Sequence, residues 1–234
     1  MLVHTGCVHV LLDLLLPVGC AGCGAPGAPW CPACAALLGP PVRVYPPCCS
    51  GSATPPVYAL AAYRGRLRAA LLAFKEQGRR DLARPLGAAL ATALLQPPLR
   101  AAAGSGGLCL VPVPSRRSAA ARRGGQHVAL LAQRAAEVLA GAGMVATVAP
   151  ALRMAAGVRD SVGLSAAARQ ANLAGRVSLR RAGLPPTGTP VVLIDDVVTT
   201  GATAMACVAV LRRAGIGTPA IVALTAAGRH APLS

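Results

Sequence analysis

The sequence predicts an α/β fold: a parallel sheet flanked by helices, preceded by a small cysteine-bound module. Three observations point there. Apolar runs of strand length alternate with helical stretches from about Val57 onward. Four cysteines fall into two C-x-x-C pairs inside a Pro- and Gly-rich region. The apolar run Val191 to Ile194 ends in two adjacent acids, in a chain that has only seven Asp and Glu. Strands separated by helices pair in parallel through right-handed crossovers.

The 234 residues allow a domain of ordinary size plus a small module, divided as 17–56 and 57–234. One Trp, one Phe and three Tyr leave the core to Ala, Val and Leu. The formal charge of +16 favours polyanionic partners, either phosphorylated metabolites or nucleic acid. Scarce aromatics argue against stacked single-stranded bases, which need ring platforms.

Taken in order, the run Val8 to Leu16 is interrupted by Asp13. It is too short to span a bilayer, which takes ~20 apolar residues. It reads as a packing helix in a cytoplasmic protein. Residues 17–56 follow with little helical periodicity. Within them Cys20-Ala21-Gly22-Cys23 and Cys31-Pro32-Ala33-Cys34 each suit one side of a tetrahedral ion, so Cys20, Cys23, Cys31 and Cys34 form a closed four-cysteine zinc site. A site without an open position is structural. The adjacent Cys48-Cys49 cannot imitate C-x-x-C. It reads as a relic of another ligand pair or as packing. Cys7, Cys109 and Cys207 sit in apolar segments and read as core.

Val57 to Tyr63 reads as a strand and Leu67 to Lys75 as a helix start broken by Gly78. Asp81 is placed to cap a helix running to about Leu95. Gln96-Pro97-Pro98 and Gly104-Ser105-Gly106-Gly107 read as linkers. Leu108 to Val113 is a short strand, and residues 115–125 a basic loop with Arg116, Arg117, Arg122 and Arg123. Gln126 to Ala140 has helical spacing. Met144 to Val148 suits a strand, and residues 150–175 a long loop with helical pieces. After Pro190 come the strand Val191 to Ile194, a helix over Ala202 to Arg213 ended by Gly215, and a strand over Ile221 to Thr225.

The segment Val191 to Thr203 holds the most specific chemistry. An all-apolar strand suits the centre of a parallel sheet, and ligands bind at the carboxyl ends of such strands. Asp195 and Asp196 stand there. Thr199, Thr200 and Thr203 add hydroxyls, Gly201 permits close backbone approach, and the free N–H groups of the next helix suit a phosphate. Carboxylates beside a phosphate cradle need neutral or cationic partners: ribose hydroxyls or a divalent metal.

This segment resembles the phosphoribosyl pyrophosphate (PRPP) motif of type I phosphoribosyltransferases. The resemblance implies that Asp195 and Asp196 hold the ribose. It implies that Val197, Val198, Thr199, Thr200, Gly201, Ala202 and Thr203 wrap the 5-phosphate, mainly through backbone N–H groups. From about Leu14 to Thr225 the chain resembles the ComF family, phosphoribosyltransferase-like proteins with an N-terminal zinc ribbon. The matching pieces are Cys20 to Cys34, Phe74 to Leu82, Val111 to Arg117, Arg159 to Asn172 and the PRPP motif. By position, Ser115, Arg116 and Arg117 belong to a pyrophosphate loop, although a solvated arginine loop explains them equally well. Arg153, Arg159 and Arg169 fall where a hood would lie over the site. The sequence departs from the family at Gly125-Gln126-His127, where Phe-Asn-Gln is usual, and His127 reads as a helix-start polar residue.

The resemblance implies an enzyme that binds PRPP with Mg2+ and displaces pyrophosphate at the anomeric carbon. No aromatic platform for a base follows Thr225. Because the family is linked to DNA uptake, the alternative is a competence protein that binds single-stranded DNA or a DNA-uptake partner and uses the PRPP pocket without turnover.

Overall fold

A computed structural model describes residues 19–49, 54–103, 106–115, 126–155 and 176–228. The expected helix at Val8 to Leu16, Cys7, Arg116, Arg117, Arg122, Arg123, Arg159 and Arg169 lie outside these residues.

A six-stranded sheet forms the centre. Its strands are β1 (Val42–Val44), β2 (Val57–Ala62), β3 (Leu108–Pro112), β4 (Ala146–Val148), β7 (Val191–Val198) and β8 (Ala220–Ala226), in the spatial order β1-β2-β8-β7-β3-β4. All neighbours run parallel except the edge strand β1, which pairs antiparallel with β2. The alternation of strands and helices predicts this mixed α/β architecture. A separate antiparallel pair, β5 (Leu152–Met154) with β6 (Val177–Leu179), lies where the sequence suggests only loop. Three-residue strands are too short to show a period of two.

Helices cover both faces. On one lie α2 (Gly65–Glu76), α3 (Ala83–Leu94), α4 (Pro97–Ala103) and α5 (His127–Gly141), after the short α1 (Pro32–Ala35) of the cysteine module. Leu71, Phe74, Leu86, Leu90 and Leu131 pack there against Val192 and Ile194 of β7. On the other face α6 (Ala202–Arg213) buries Cys207, Val208 and Leu211 against Val191 and Leu193. The alternate residues of β7 thus enter two different cores, as the pleat requires. Cys109 and Cys207 are fully buried, as expected of core thiols.

Several expectations need correction. Gln96-Pro97-Pro98 is not a linker: α4 begins at Pro97, where proline's missing N–H costs nothing in a first turn. Asp81 does not cap α3. Its carboxylate accepts from the Arg79 guanidinium, and Leu82 precedes the helix. The strand Val191 to Ile194 runs on to Val198, so Asp195, Asp196, Val197 and Val198 are strand residues rather than loop. Pairing with β8 extends the ladder, because Val197 and Val198 lie opposite Thr225 and Ala226.

Candidate functional site

Strand order reverses between β3 and β7. From β3 the chain proceeds outward to β4, and from β7 it proceeds the other way to β8. Helices leave such a reversal on opposite faces, which opens a crevice at the carboxyl ends of the two strands. Val113 N–H donates to the Ile194 carbonyl at 2.8 Å, after which the chains part. Ser115 lies just past the end of β3, with its hydroxyl buried and without a partner among the described residues. β7 continues past β3 through Asp195 and Asp196. Of the sequence-predicted residues, the structure brings Ser115, the two acids and the turn into α6 to this one end of the sheet.

The adjacent acids face opposite sides. Asp196, 4% exposed, points into the layer of α2 and α5. Its Oδ2 lies 2.8 Å from Lys75 Nζ and 2.6 Å from His127 Nε2. The strand ladder and a bond from the Thr225 hydroxyl to the Asp196 carbonyl, 3.2 Å, fix its backbone. Burial pushes this carboxyl up, but the His127 hydrogen bond and the Lys75 charge outweigh it and hold Asp196 well below the usual carboxylate range. Lys75 comes from the last turn of α2 and His127 begins α5. The Phe74 and His127 rings meet edge to face with 6.0 Å between centroids, and His127 Nδ1 is buried with no partner among the described residues.

Asp195 is half-buried on the α6 side. Its Oδ1 accepts the Asp196 N–H at 2.8 Å. Burial, and then the neighbouring Asp196 charge, push its carboxyl well up. Its proximity also helps burial to raise the Cys207 thiol. Asp196 thus meets the Lys75 ammonium and the His127 ring directly, whereas at Asp195 burial and the Asp196 charge outweigh the more distant pull of Lys75.

After β7 the chain turns through Thr199 and Thr200 to Gly201, whose φ of 78° is left-handed and suits glycine. Thr200 Oγ1 accepts the Ala202 N–H at 3.4 Å. Gly201 at the N-cap has no side chain to cap α6, so beyond Ala202 the first-turn N–H groups keep their capacity for an anion. Thr203 sits partly exposed in that turn.

The second cluster lies in the cysteine module. The sulfurs of Cys20, Cys23, Cys31 and Cys34 all fall within 4.8 Å of one another. Cys23 and Cys31 Sγ are 3.6 Å apart. Four thiolates about 2.3 Å from one ion give sulfur separations of about 3.8 Å, so the set fits tetrahedral zinc. Local sequence builds it. Gly24 N–H closes on the Cys20 carbonyl at 2.7 Å, and Cys31 N–H donates to Cys20 Sγ at 3.4 Å. Burial raises the Cys20 thiol, but backbone N–H groups of Cys31, Cys23 and Gly22 bring it down to about 6, suited to a thiolate ligand. Gly22 is required for space, since a Cβ there would lie 2.8 Å from Cys34 Sγ. Cys20, Trp30 and Cys34 belong to the same apolar cluster as Leu67 and Leu71 of α2.

Cys48 and Cys49 lie elsewhere, in a turn over Pro47–Cys49 against Gly201. Burial and then neighbouring Cys48 raise the Cys49 thiol to about 11. Sequence reasoning missed Lys75 as a site residue and assigned His127 only to a helix start. The signal available for Lys75 was its membership in the Phe74 to Leu82 segment. For His127 it was an imidazole opening a helix after a basic loop.

No family model matches the sequence, and no curated protein matches it. Among solved structures, a hypoxanthine phosphoribosyltransferase from Staphylococcus aureus is similar over 68% of this chain and 69% of that one, at 16% identity and a TM-score of 0.32. Among the described residues no helix is long and apolar enough to cross a membrane.

Proposed function

We propose that the chain binds PRPP, or a closely related ribose 5-phosphate, in the crevice between β3 and β7. One observation carries this reading: the acid-bearing end of β7 passes through a left-handed Gly201 turn into the N-terminus of α6 at the point of strand reversal. The 5-phosphate would take the N–H groups from Thr199 to Thr203 and the field of α6. Asp195, on the partly exposed side, would accept ribose hydroxyls. Asp196 Oδ2 already meets the Lys75 ammonium and His127 Nε2, so Oδ1 is the oxygen left for a hydroxyl. Lys75, 20% exposed, adds positive charge beside the ligand. Ser115 offers an unpartnered hydroxyl where pyrophosphate would lie, with Arg116 and Arg117 following in sequence. Mg2+ would arrive with the diphosphate.

In the enzymatic form of this reading a nitrogen nucleophile attacks the anomeric carbon and pyrophosphate departs. The protein's part is to position the ribose and to stabilise charge as the carbon–oxygen bond breaks. The four-cysteine module would hold structural zinc beside α2, as in the ComF family that the sequence resembles, and the protein would act in the cytoplasm. The net charge of +16 supports a second reading, a DNA-uptake protein that engages single-stranded DNA and uses the same pocket without turnover.

Titration calorimetry with PRPP and Mg2+ tests the site. Binding by the native chain, lost in the double variant Asp195→Asn, Asp196→Asn, is expected, and unchanged affinity in the variant would overturn the assignment. Pyrophosphate release with a panel of bases separates turnover from binding alone. Salt-dependent binding to single-stranded DNA without release would favour the second reading.

A further inference from the structure

The adjacent pair Cys48-Cys49 finds no place in the zinc cluster, yet it touches the turn proposed to hold phosphate. After β1 the chain folds into a tight turn, closed by a bond from Cys49 N–H to the Pro46 carbonyl at 2.8 Å. Cys48 N–H donates to the Thr200 carbonyl at 2.9 Å. Cys49 Sγ lies 4.0 Å from the Gly201 carbonyl oxygen, and a Cβ placed on Gly201 would sit 2.5 Å from that sulfur and 3.1 Å from Pro46 Cβ. The Thr54 hydroxyl donates to the Cys49 carbonyl at 3.0 Å. Both ends of the turn are therefore held, by β1 on the sheet edge and by Thr54.

A trans peptide carries its C=O and N–H on opposite sides. With the Thr200 carbonyl tied to Cys48, the Gly201 N–H must point to the other side of the loop. We propose that residues 46–49 are a positioning strap: Cys48 N–H fixes the Thr200–Gly201 peptide so that Gly201 N–H faces the 5-phosphate, and Cys49 backs the Gly201 α-carbon. This inference rests on the ribose 5-phosphate reading above. It assigns the connection between β1 and β2 a share in ligand binding. Gly201 then has two requirements, a left-handed φ and a bare α-carbon against sulfur.

Ribose 5-phosphate binding by calorimetry on the full chain tests it, with thermal melts as the control for folding. Absence of binding by the native chain would sink the ligand reading, and the strap with it. Given native binding, Cys48→Ala keeps the N–H and is expected to bind within about twofold of native. Cys48→Pro removes the donor and is expected to bind at least about tenfold more weakly, the order of one charge-assisted hydrogen bond. Equal affinity of these two variants would overturn the strap while leaving the ligand reading intact. A rescue pair decides the case if Cys48→Pro fails to fold. Gly201→Ala is expected to lose affinity, and adding Cys49→Ala, which removes the sulfur from the new methyl, is expected to restore part of it. No restoration would count against the strap.

Discussion

The cysteine module and the acidic end of β7 both bury charge-bearing side chains, and they do so by opposite means. The four sulfurs come from fifteen consecutive positions, Cys20 to Cys34, and local turns bring them within 4.8 Å. The cluster around Asp196 joins Lys75, His127 and Asp196, which are far apart in sequence and meet only when α2, α5 and β7 pack. A local site can form with its metal and then dock. A distributed site exists only once the sheet and both helices are in place. The first should therefore fail by loss of a ligand, and the second by loss of any one of three packed elements.

The largest effect is expected at the module. A structural zinc in a small finger is worth about 10–16 kcal/mol of apparent binding free energy at neutral pH. Cys34→Ser, or a strong chelator, should release one equivalent of zinc and unfold the module, exposing Trp30. Metal analysis with Trp fluorescence reads both. Retention of Trp30 burial after zinc loss would show that packing on α2 suffices.

Next comes the ion cluster. Lys75→Met removes the ammonium from a buried carboxylate that keeps its His127 contact. The cost of such a loss in a fully buried pair is about 3–5 kcal/mol, and the partial exposure of Lys75 brings it to about 2–3 kcal/mol. The pH dependence has a definite sign. A carboxyl held below its unfolded value near ~3.9 contributes stability that is present above that pH and lost as pH falls through the folded value. Asp196 is such a group, so Lys75→Met should move the acid limb of denaturation to higher pH. Asp195 is shifted upward, so its contribution is present at low pH and lost as pH rises through its folded value. Asp195→Asn should therefore leave neutral stability unchanged or improved, where Asp196→Asn lowers it. Urea denaturation across the acid-to-neutral range distinguishes the two neighbours.

His127 should count for less, because Lys75 remains when it is removed. His127→Leu is expected to cost about 1–2 kcal/mol, and His127→Gln, which keeps a donor toward Asp196, about half of that or less. A glutamine as damaging as leucine would mean that the imidazole's shape against Phe74, rather than its N–H, holds α5 in place.

The same contrast explains what could be read in advance. The doubled C-x-x-C spacing specifies a tetrahedral site without any tertiary information, and all four sulfurs do converge. The main sheet was legible too, since Val191 to Ile194 and Ile221 to Thr225 are largely apolar on both faces, as central parallel strands must be. The strand's true end was not. Asp195 and Asp196 look like the start of a loop by composition, but pairing with β8 carries the strand to Val198 and turns the two acids to opposite faces. Lys75 was hidden for a related reason. Its neighbours in sequence are helical residues, and only the packing of α2 beside β7 gives its ammonium a buried partner. Cys48 and Cys49 have no spacing rule at all, and their contact with Gly201 depends on where β1 leaves the sheet edge.

The smallest expected effect lies at a bond that ties the cysteine module to the helical layer. Arg79 sits between α2 and α3, and its guanidinium donates to both Asp81 oxygens and to the Gly19 carbonyl at 3.1 Å, one residue before Cys20. Arginine can serve both acceptors because its planar fork presents several donors at fixed angles. Lysine keeps the charge but loses the fork. Both groups are partly exposed, so Arg79→Lys should cost only about 0.5 kcal/mol in global stability. Its sharper signature is local. If this bond docks the module onto α2, hydrogen exchange at Cys20 and Ala21 should quicken in Arg79→Lys while exchange in β7 and β8 stays as it was. Equal quickening in both would mean that module and sheet open together, and that a local site, once docked, has become part of the distributed one.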